Sequence, residues 1–444
     1  MLGHLLDPPP PLAGPAARRR LGPVLVLAPL LVLALLLGGA APADAEPTEE
    51  AVPEHAYTAE GPEVSGGSSL AQAPLVVPGI HRDSFARGAQ DEADDSGTTK
   101  YYRVAAASGQ RVHAAATISA PPYADGVPEE WTPLGVDVSV VTAAGDSCEE
   151  STTDDVGAAM TGEGPVTSVA VSGTTGWEGC AGEELFLRVT RTGTRSADLP
   201  LPVEIQVAIE PAGIGGGSPA VDEEIEDEGA SPVPPAQEEP FVGGRSFATA
   251  PEVEPGSSVI ELVPGEVSTM RIEVQEGQRL RWRTEVTEQP EDAGSLSLNV
   301  ADATRGQVTV GGGDWTMSST SPVNGGGMRA PVDLGNRGSD TASIASAWLP
   351  GDQTVTLQRL QLPAGAEPAA AEPVTVVLTL EVEGEVAEDA AEGTVLELGE
   401  TTVSSGPLDG SLGRIALVVG AGMLTLLALV TGVAGVLVLR LRRA

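Results

Sequence analysis

Lysine occurs once in this chain, at Lys100, against 23 arginines; histidine occurs four times, cysteine twice, and aromatic residues make up 3% of the sequence. Each shortage excludes something. Lys and Arg total 24 against 63 Asp and Glu, for a net charge of −39. Binding phosphate requires a basic face, so nucleic acid is excluded as a partner, and anionic lipid and anionic wall polymers are repelled. Cationic partners and divalent ions remain open. The two cysteines, Cys148 and Cys180, have no nearby His or third Cys, so they cannot complete a tetrahedral zinc shell. They also lack the C-x-x-C spacing that activates a thiol. In an exported chain they have one pairing, a disulfide worth about 3–4 kcal/mol in the chain-entropy model. Of the histidines, His4 falls in the leader and His55 in a polar lead-in; His81 and His113 remain, His113 on the polar side of a predicted strand. No G-x-S-x-G elbow and no H-E-x-x-H motif occurs, so the sequence argues against a hydrolase. The preference for Arg over Lys, with abundant Ala, Gly, Pro and Val, is the coding bias of a high-GC genome of actinobacterial type; it carries no fold information.

Long apolar runs are confined to the two ends. Arg18, Arg19 and Arg20 precede an apolar run from Leu21 to about Ala41, followed by Ala43-Asp44-Ala45. That order reads as a secretory signal peptide over 1–45. Ile415 to Leu439 is 25 residues without a charge, followed by Arg440, Arg442 and Arg443. At 1.5 Å per residue this helix is about 37 Å long, enough to span a hydrocarbon core of roughly 30 Å with tilt. The terminal arginines (440–444) are expected to stay inside. The expected topology is single-pass, with the ectodomain outside the cell. Ala421, Thr425, Ala428, Gly432 and Gly435 form a small-residue stripe on that helix, a face through which a homodimer could pack.

Between the ends, Glu46 to Gly413 carries 61 acidic and 17 basic residues, a balance of −44. Three stretches have little to bury. Residues 46–75 read as a disordered acidic lead-in, 213–240 as an acidic Gly/Pro-rich linker held extended by charge and proline, and 385–414 as an acidic stalk. Two blocks, 76–212 and 241–384, lie between them and resemble each other. Tyr102-Arg103-Val104 with Gly109-Gln110-Arg111-Val112 is matched by Met270-Arg271-Ile272 with Gly277-Gln278-Arg279-Leu280, at a constant offset of 168 residues. Upstream, Arg82-Asp83-Ser84-Phe85-Ala86 echoes Arg245-Ser246-Phe247-Ala248. This pattern indicates a duplication.

Both blocks alternate with period two. Tyr102-Val104-Ala106, Val112 to Ile118, Val136 to Val140, Leu185 to Val189 and Val203 to Ile209 alternate in the first; Leu296 to Val300, Val355-Leu357 and Val374 to Val382 alternate in the second. Such runs, bounded by Gly and Pro, predict half-buried antiparallel strands. The fold class is all-β: two tandem antiparallel sandwiches, jelly-roll-like, each large enough for its own core. The order Asp94-Asp95-Ser96-Gly97, Tyr101-Tyr102-Arg103-Val104, Ser108-Gly109-Gln110, Val136 to Gly145, Leu185 to Val189, Val203 to Ile209 resembles the bacterial pre-peptidase C-terminal domain, a small sandwich of secreted proteins. The second block departs from it, with Thr269-Met270-Arg271-Ile272 as its aromatic-strand counterpart. The resemblance implies a β-sandwich outside the membrane and carries no catalytic residues.

Candidate sites are few. Asp91, Glu92, Asp94 and Asp95 could supply part of a calcium shell, without the spacing of an EF-hand. Among the tryptophans, Trp315 follows Gly311-Gly312-Gly313-Asp314 and is the candidate ligand aromatic, while Trp177, three residues before Cys180, is expected to pack on the disulfide. Taken together, the residues read as a non-catalytic cell-surface binding or scaffolding protein. Its expected partner is another exported or envelope protein, and it needs no cofactor. The alternative is an envelope glycan- or calcium-binding protein.

Overall fold

The computed structural model describes residues 56–405, apart from 90–96, 131, 150–156, 160–163, 178, 183, 216, 227, 309–314, 317–322, 388–392 and 400. The expected signal peptide, membrane helix and basic tail, and the acidic group Asp91 to Asp95, lie outside the described residues. Among the described residues no helix is long and apolar enough to cross a membrane.

Alternating burial builds the first sandwich from β1 (Leu75–Val76), β2 (Gly79–Phe85), β3 (Thr99–Ala105), β4 (Arg111–Ile118), β5 (Leu134–Val141), β6 (Gly157–Ala159), β7 (Val166–Val171), β8 (Glu184–Thr192) and β9 (Leu201–Glu210). One sheet runs β1-β3-β8-β5-β6; in the other, β9 lies between β4-β7 and β2. Tyr102, Val104, Val112, Ile118, Val136, Leu187, Val203 and Ile205 fill the space between them. The second sandwich comprises β10 (Gly256–Leu262), β11 (Val267–Val274), β12 (Arg279–Glu288), β13 (Ser295–Ala301), β14 (Trp315–Thr316), β15 (Val323–Gly327), β16 (Gly351–Arg359) and β17 (Val374–Glu383). Its sheets run β10-β17-β12-β15 and β11-β16-β13-β14, and the fully buried Trp282 lies in its core. The one α-helix among the described residues, α1 (Ala342–Ala345), is a single turn. The all-β reading of the sequence holds.

The two sandwiches share strand order and register. Lys100 pairs with Val189 and Ser268 with Leu357, both offset by 168; Gly79 pairs with Val207, and Gly256 with Leu380. The repeated Gly-Gln has a mechanical cause. Gly109 and Gly277 take φ of 90° and 88°, a region costly for residues with a Cβ. The following glutamine folds back over the turn: Gln110 Oε1 accepts from Ala107 N at 2.6 Å, and Gln278 Oε1 from Gln275 N at 3.0 Å.

A second shared element is a pair of buried arginines that the sequence comparison did not single out. Arg191 donates to the carbonyls of Phe85 (3.1 Å), Arg195 (2.9 Å), Ser196 (2.7 Å) and Leu199. Arg359, 168 residues on, donates to those of Leu262 (3.1 Å), Ala370 (2.6 Å), Glu372 (2.7 Å) and Ala293 (3.2 Å). Each ties the end of its β2 or β10 strand to the loop that enters β9 or β17. Burial lowers both guanidinium pKa values to about 10.

Register corrects one detail of the repeat. Gly67 bridges Tyr101 and Gly244 bridges Thr269, so Ser246-Phe247 corresponds to Ser69-Leu70. The Ser84-Phe85 pair corresponds instead to Glu261-Leu262. The loop before β3 (86–98) is longer than its counterpart before β11 (263–266), and this shifts the upstream offset to 177.

The described parts of the three segments read as spacers pack on the sandwiches. In the lead-in, Ala56, Tyr57 and Ala59 are buried, and Val64 N donates to Arg82 O at 2.9 Å. The linker lies along the second sandwich. Val221 packs on its core, Ile225 N and Ala230 N donate to Arg329 O (2.8 Å) and Trp282 O (3.1 Å), and Glu226 pairs with Arg329 at 3.3 Å. Arginines on that face offset the acid repulsion that would otherwise hold the segment away. Within the expected stalk, β18 (Gly393–Leu398) and β19 (Thr401–Ser405) form a hairpin. It returns to the first sandwich and joins β9 at Glu397–Ile209, because its Val395 and Leu396 are apolar enough to be buried.

Candidate functional site

Strand β9 alternates Val203, Ile205, Val207 and Ile209 with Glu204, Gln206, Ala208 and Glu210. The first set faces the core. The second set would normally face water, yet all four of its residues are buried, because the second sandwich covers them. Arg305 reaches into that face from the turn after β13, at φ 68°. It donates to Gln206 Oε1 (3.0 Å), Thr117 Oγ1 (3.1 Å) and Glu204 Oε1, with its guanidinium 4.5 Å from the centre of the Phe247 ring. The other Glu204 oxygen accepts from Glu60 N at 2.8 Å. Tyr57 lies beside this pair; its phenol is raised well above its usual pKa by burial and then by Glu204.

A second ion group closes the other end. Arg337 grips both oxygens of Glu210 at 2.8 Å, while His113 Nε2 lies 2.7 Å from Oε2. Trp348 stacks on His113 at 5.8 Å between ring centroids and lies under the Arg337 guanidinium at 4.0 Å. Burial opposes ionisation of Glu210, but its hydrogen bonds to His113 and Arg337 win and hold its pKa at about 2. Ala208, Leu334, Trp348, Leu349, Val395 and Leu396 form an apolar cluster beside it. A His–Glu pair is a fragment of many catalytic relays. Here Arg337 takes the carboxylate and Trp348 covers the imidazole, so the group clamps the two sandwiches together. The clamp continues at the far edge, where Val127 N donates to Leu362 O and Ala364 N to Val127 O, both at 2.8 Å.

The exposed candidate lies on the loop after β7. Its backbone is tied to the Gly-Gln turn: Gly109 N donates to Thr175 O and Thr175 N to Gln110 O, both at 2.9 Å. The Cys148–Cys180 disulfide closes the loop, and Cys180 N donates to Trp177 O at 3.0 Å. On this braced turn Trp177 is 68% exposed. The sequence suggested a tryptophan packed on the disulfide, whereas two thirds of it faces solvent; a Cβ at Gly173 would come within 3.0 Å of Cys180 Sγ, so a glycine is needed where the chain passes the disulfide.

The corresponding loop of the second sandwich starts from matching bonds, Gly277 N to Val332 O (2.8 Å) and Val332 N to Gln278 O (2.7 Å). It carries Leu334, Arg337 and Trp348, the residues docked on the first sandwich. The same position in the repeat is therefore a docking loop in one copy and an exposed tryptophan loop in the other.

The disulfide is formed as expected. Trp315 lies in β14, paired through Leu296, and its side chain is outside the described residues. His113 is buried at the clamp although the strand pattern put it on a polar face. Among the described residues no group of three or more His, Cys, Asp or Glu could hold a metal. Glu204, Glu210 and Arg305 were not identifiable in advance, since alternation alone assigns the even positions of β9 to solvent.

No family model matches the chain, and no curated protein matches it. Distant likenesses to solved structures include the CBM22-1–CBM22-2 tandem domain of Paenibacillus barcinonensis Xyn10C, with 10% identity, 69% of this chain and 92% of that chain covered, and a TM-score of 0.18. The ANXUR2 extracellular domain of Arabidopsis thaliana gives 7%, 67%, 88% and 0.16. A secreted protein of Eubacterium rectale gives 8%, 70%, 81% and 0.17. At these scores the likenesses assign neither family nor function.

Proposed function

We propose that this chain is a non-catalytic binding or scaffolding protein of the cell exterior. In this reading, two pre-peptidase-C-terminal-like sandwiches form one head, held to the membrane by the apolar segment 415–439. Its partner is another exported or envelope protein. One observation carries the reading: the loop that docks through Trp348 in the second sandwich presents Trp177 to solvent in the first. Tryptophan is enriched among residues that dominate binding energy, and the disulfide lowers the entropy lost when the loop engages a partner. The test is crosslinked capture by the tagged full chain from its own membranes, with mass spectrometry of what is retained. One dominant exported or membrane protein, lost with Trp177→Ala, is the expected result. Capture that Trp177→Ala leaves unchanged, or no enriched protein, overturns it. Retention on purified wall polysaccharide that depends on Trp177 would replace the protein partner with a glycan.

A further inference from the structure

The two sandwiches differ at the open edge between their sheets. In the first, Asp83 is buried there and accepts from Gly66 N, Tyr102 Oη (both 2.7 Å) and Lys100 Nζ (2.6 Å). The Lys100 ammonium lies 5.4 Å from the centre of the Phe85 ring. The single lysine of the chain thus fills the gap between the sheets of its own sandwich. By strand register, Asp83, Lys100 and Tyr102 correspond to Ile260, Ser268 and Met270 in the second sandwich. There both the cation and its carboxylate are gone.

What replaces them is a cavity of about 230 Å³. Phe241, Val242, Ile260 and Leu262 form its apolar wall, and Glu261 and Glu266 stand among its lining residues. Ser268, 4% exposed, also lines it, and its Oγ is buried with no hydrogen-bond partner. Glu266 is 7% exposed, and its Oε2 accepts from Val263 N at 2.9 Å. A buried hydroxyl without a partner is costly, so the cavity offers an unpaired hydroxyl and the Glu266 carboxylate beside an aliphatic wall.

We propose that this cavity takes the alkylammonium end of a lysine side chain from a partner protein. An aliphatic stem would cover Phe241 and Ile260, and the ammonium would be held by the Glu266 carboxylate and the Ser268 hydroxyl, as Lys100 is held by the single carboxylate Asp83 in the first sandwich. A charge of −39 on the chain steers basic partners toward it. Desolvating an ammonium is repaid only by close ionic and hydrogen-bonding partners, so charge is essential to recognition. This inference rests on the reading of the chain as a binding protein, and it gives that partner a chemistry.

The experiment is methyl NMR on the full chain in detergent, titrated with Nα-acetyl-lysine methylamide and with its neutral isostere, Nα-acetyl-norleucine methylamide. The lysine compound is expected to give saturable shifts confined to Val242, Ile260, Leu262, Val263 and Val267, with the norleucine compound at least tenfold weaker. Ser268→Lys, which supplies from within the side chain that the first sandwich has at this place, should abolish the shifts. Glu261→Lys, on the exposed rim, should weaken them at least tenfold without touching the core. Equal binding of norleucine, unaltered binding in either variant, or no saturable shift overturns the proposal. Any of these results alongside a captured partner would refute the lysine pocket and leave the binding-protein reading intact. Pocket-confined lysine binding without a captured partner would refute that reading alone.

Discussion

Glu204 and Arg305, 101 residues apart in sequence, meet as an ion pair whose side chains are 0% and 1% exposed. One comes from each sandwich. A tether between independent domains needs no such pair, because two buried charges hold only if their geometry is fixed. The repeat is therefore a duplicated fold closed against itself.

Removing one partner strands the other charge. Arg305→Met should lower the unfolding free energy of the full chain by about 3–5 kcal/mol, whereas Glu204→Leu with Arg305→Met should recover much of that loss. Denaturant unfolding of the three variants checks this. A double variant no better than the single one would show that hydrogen bonds to Thr117 and Gln206, and not the stranded charge, set the cost.

Arg191 and Arg359 make the same prediction in two places. Each fans out to four carbonyls, a set that a lysine ammonium cannot reproduce with its compact head. Arg191→Lys and Arg359→Lys should each cost about 2 kcal/mol or more, since each leaves buried acceptors unpaired at roughly 1–3 kcal/mol apiece. Melting curves of the two variants are the readout. Wild-type stability in either would show that the carbonyl bonds of that arginine do not hold its sandwich together.

The clamp is acid-sensitive in a direction fixed by Glu210. Its folded pKa is about 2 against an ordinary value of 4.5, so the pair stabilises the fold fully above the ordinary value. That contribution falls as pH drops through the interval and is gone below about 2. Asp302 acts oppositely: burial raises its pKa above 3.8, so its contribution is greatest below the ordinary value and is lost as pH rises through the folded one. Unfolding measured from pH 6 to pH 2 should show stability falling with acid in the wild type and a shallower fall in Glu210→Gln. Equal slopes would contradict the assignment.

The fold was legible where burial follows period two. Tyr102 to Ala106, Val112 to Ile118 and Val203 to Ile209 announced their strands, and the Gly-Gln turns announced the duplication. The clamp was hidden for the same reason. Glu204, Gln206 and Glu210 occupy positions that face water in a single sandwich, and only a second body packed on that face makes them interior. The acidic composition of 213–240 likewise concealed its packing, because the arginines that receive it, Arg281, which donates to Gly229 O at 2.6 Å, and Arg329, lie far away in sequence. Trp177 was visible as a residue, but its exposure was not, since proximity to Cys180 suggested contact.

The buried clamp requires the two sandwiches to move as one body. Spin labels at Leu199→Cys and Val323→Cys, which are 58% and 38% exposed on the first and second sandwich, allow pulsed electron–electron distance measurement on the full chain. A single narrow distance distribution is predicted. A broad or two-peaked one would contradict the clamp and return the molecule to two sandwiches on a flexible tether.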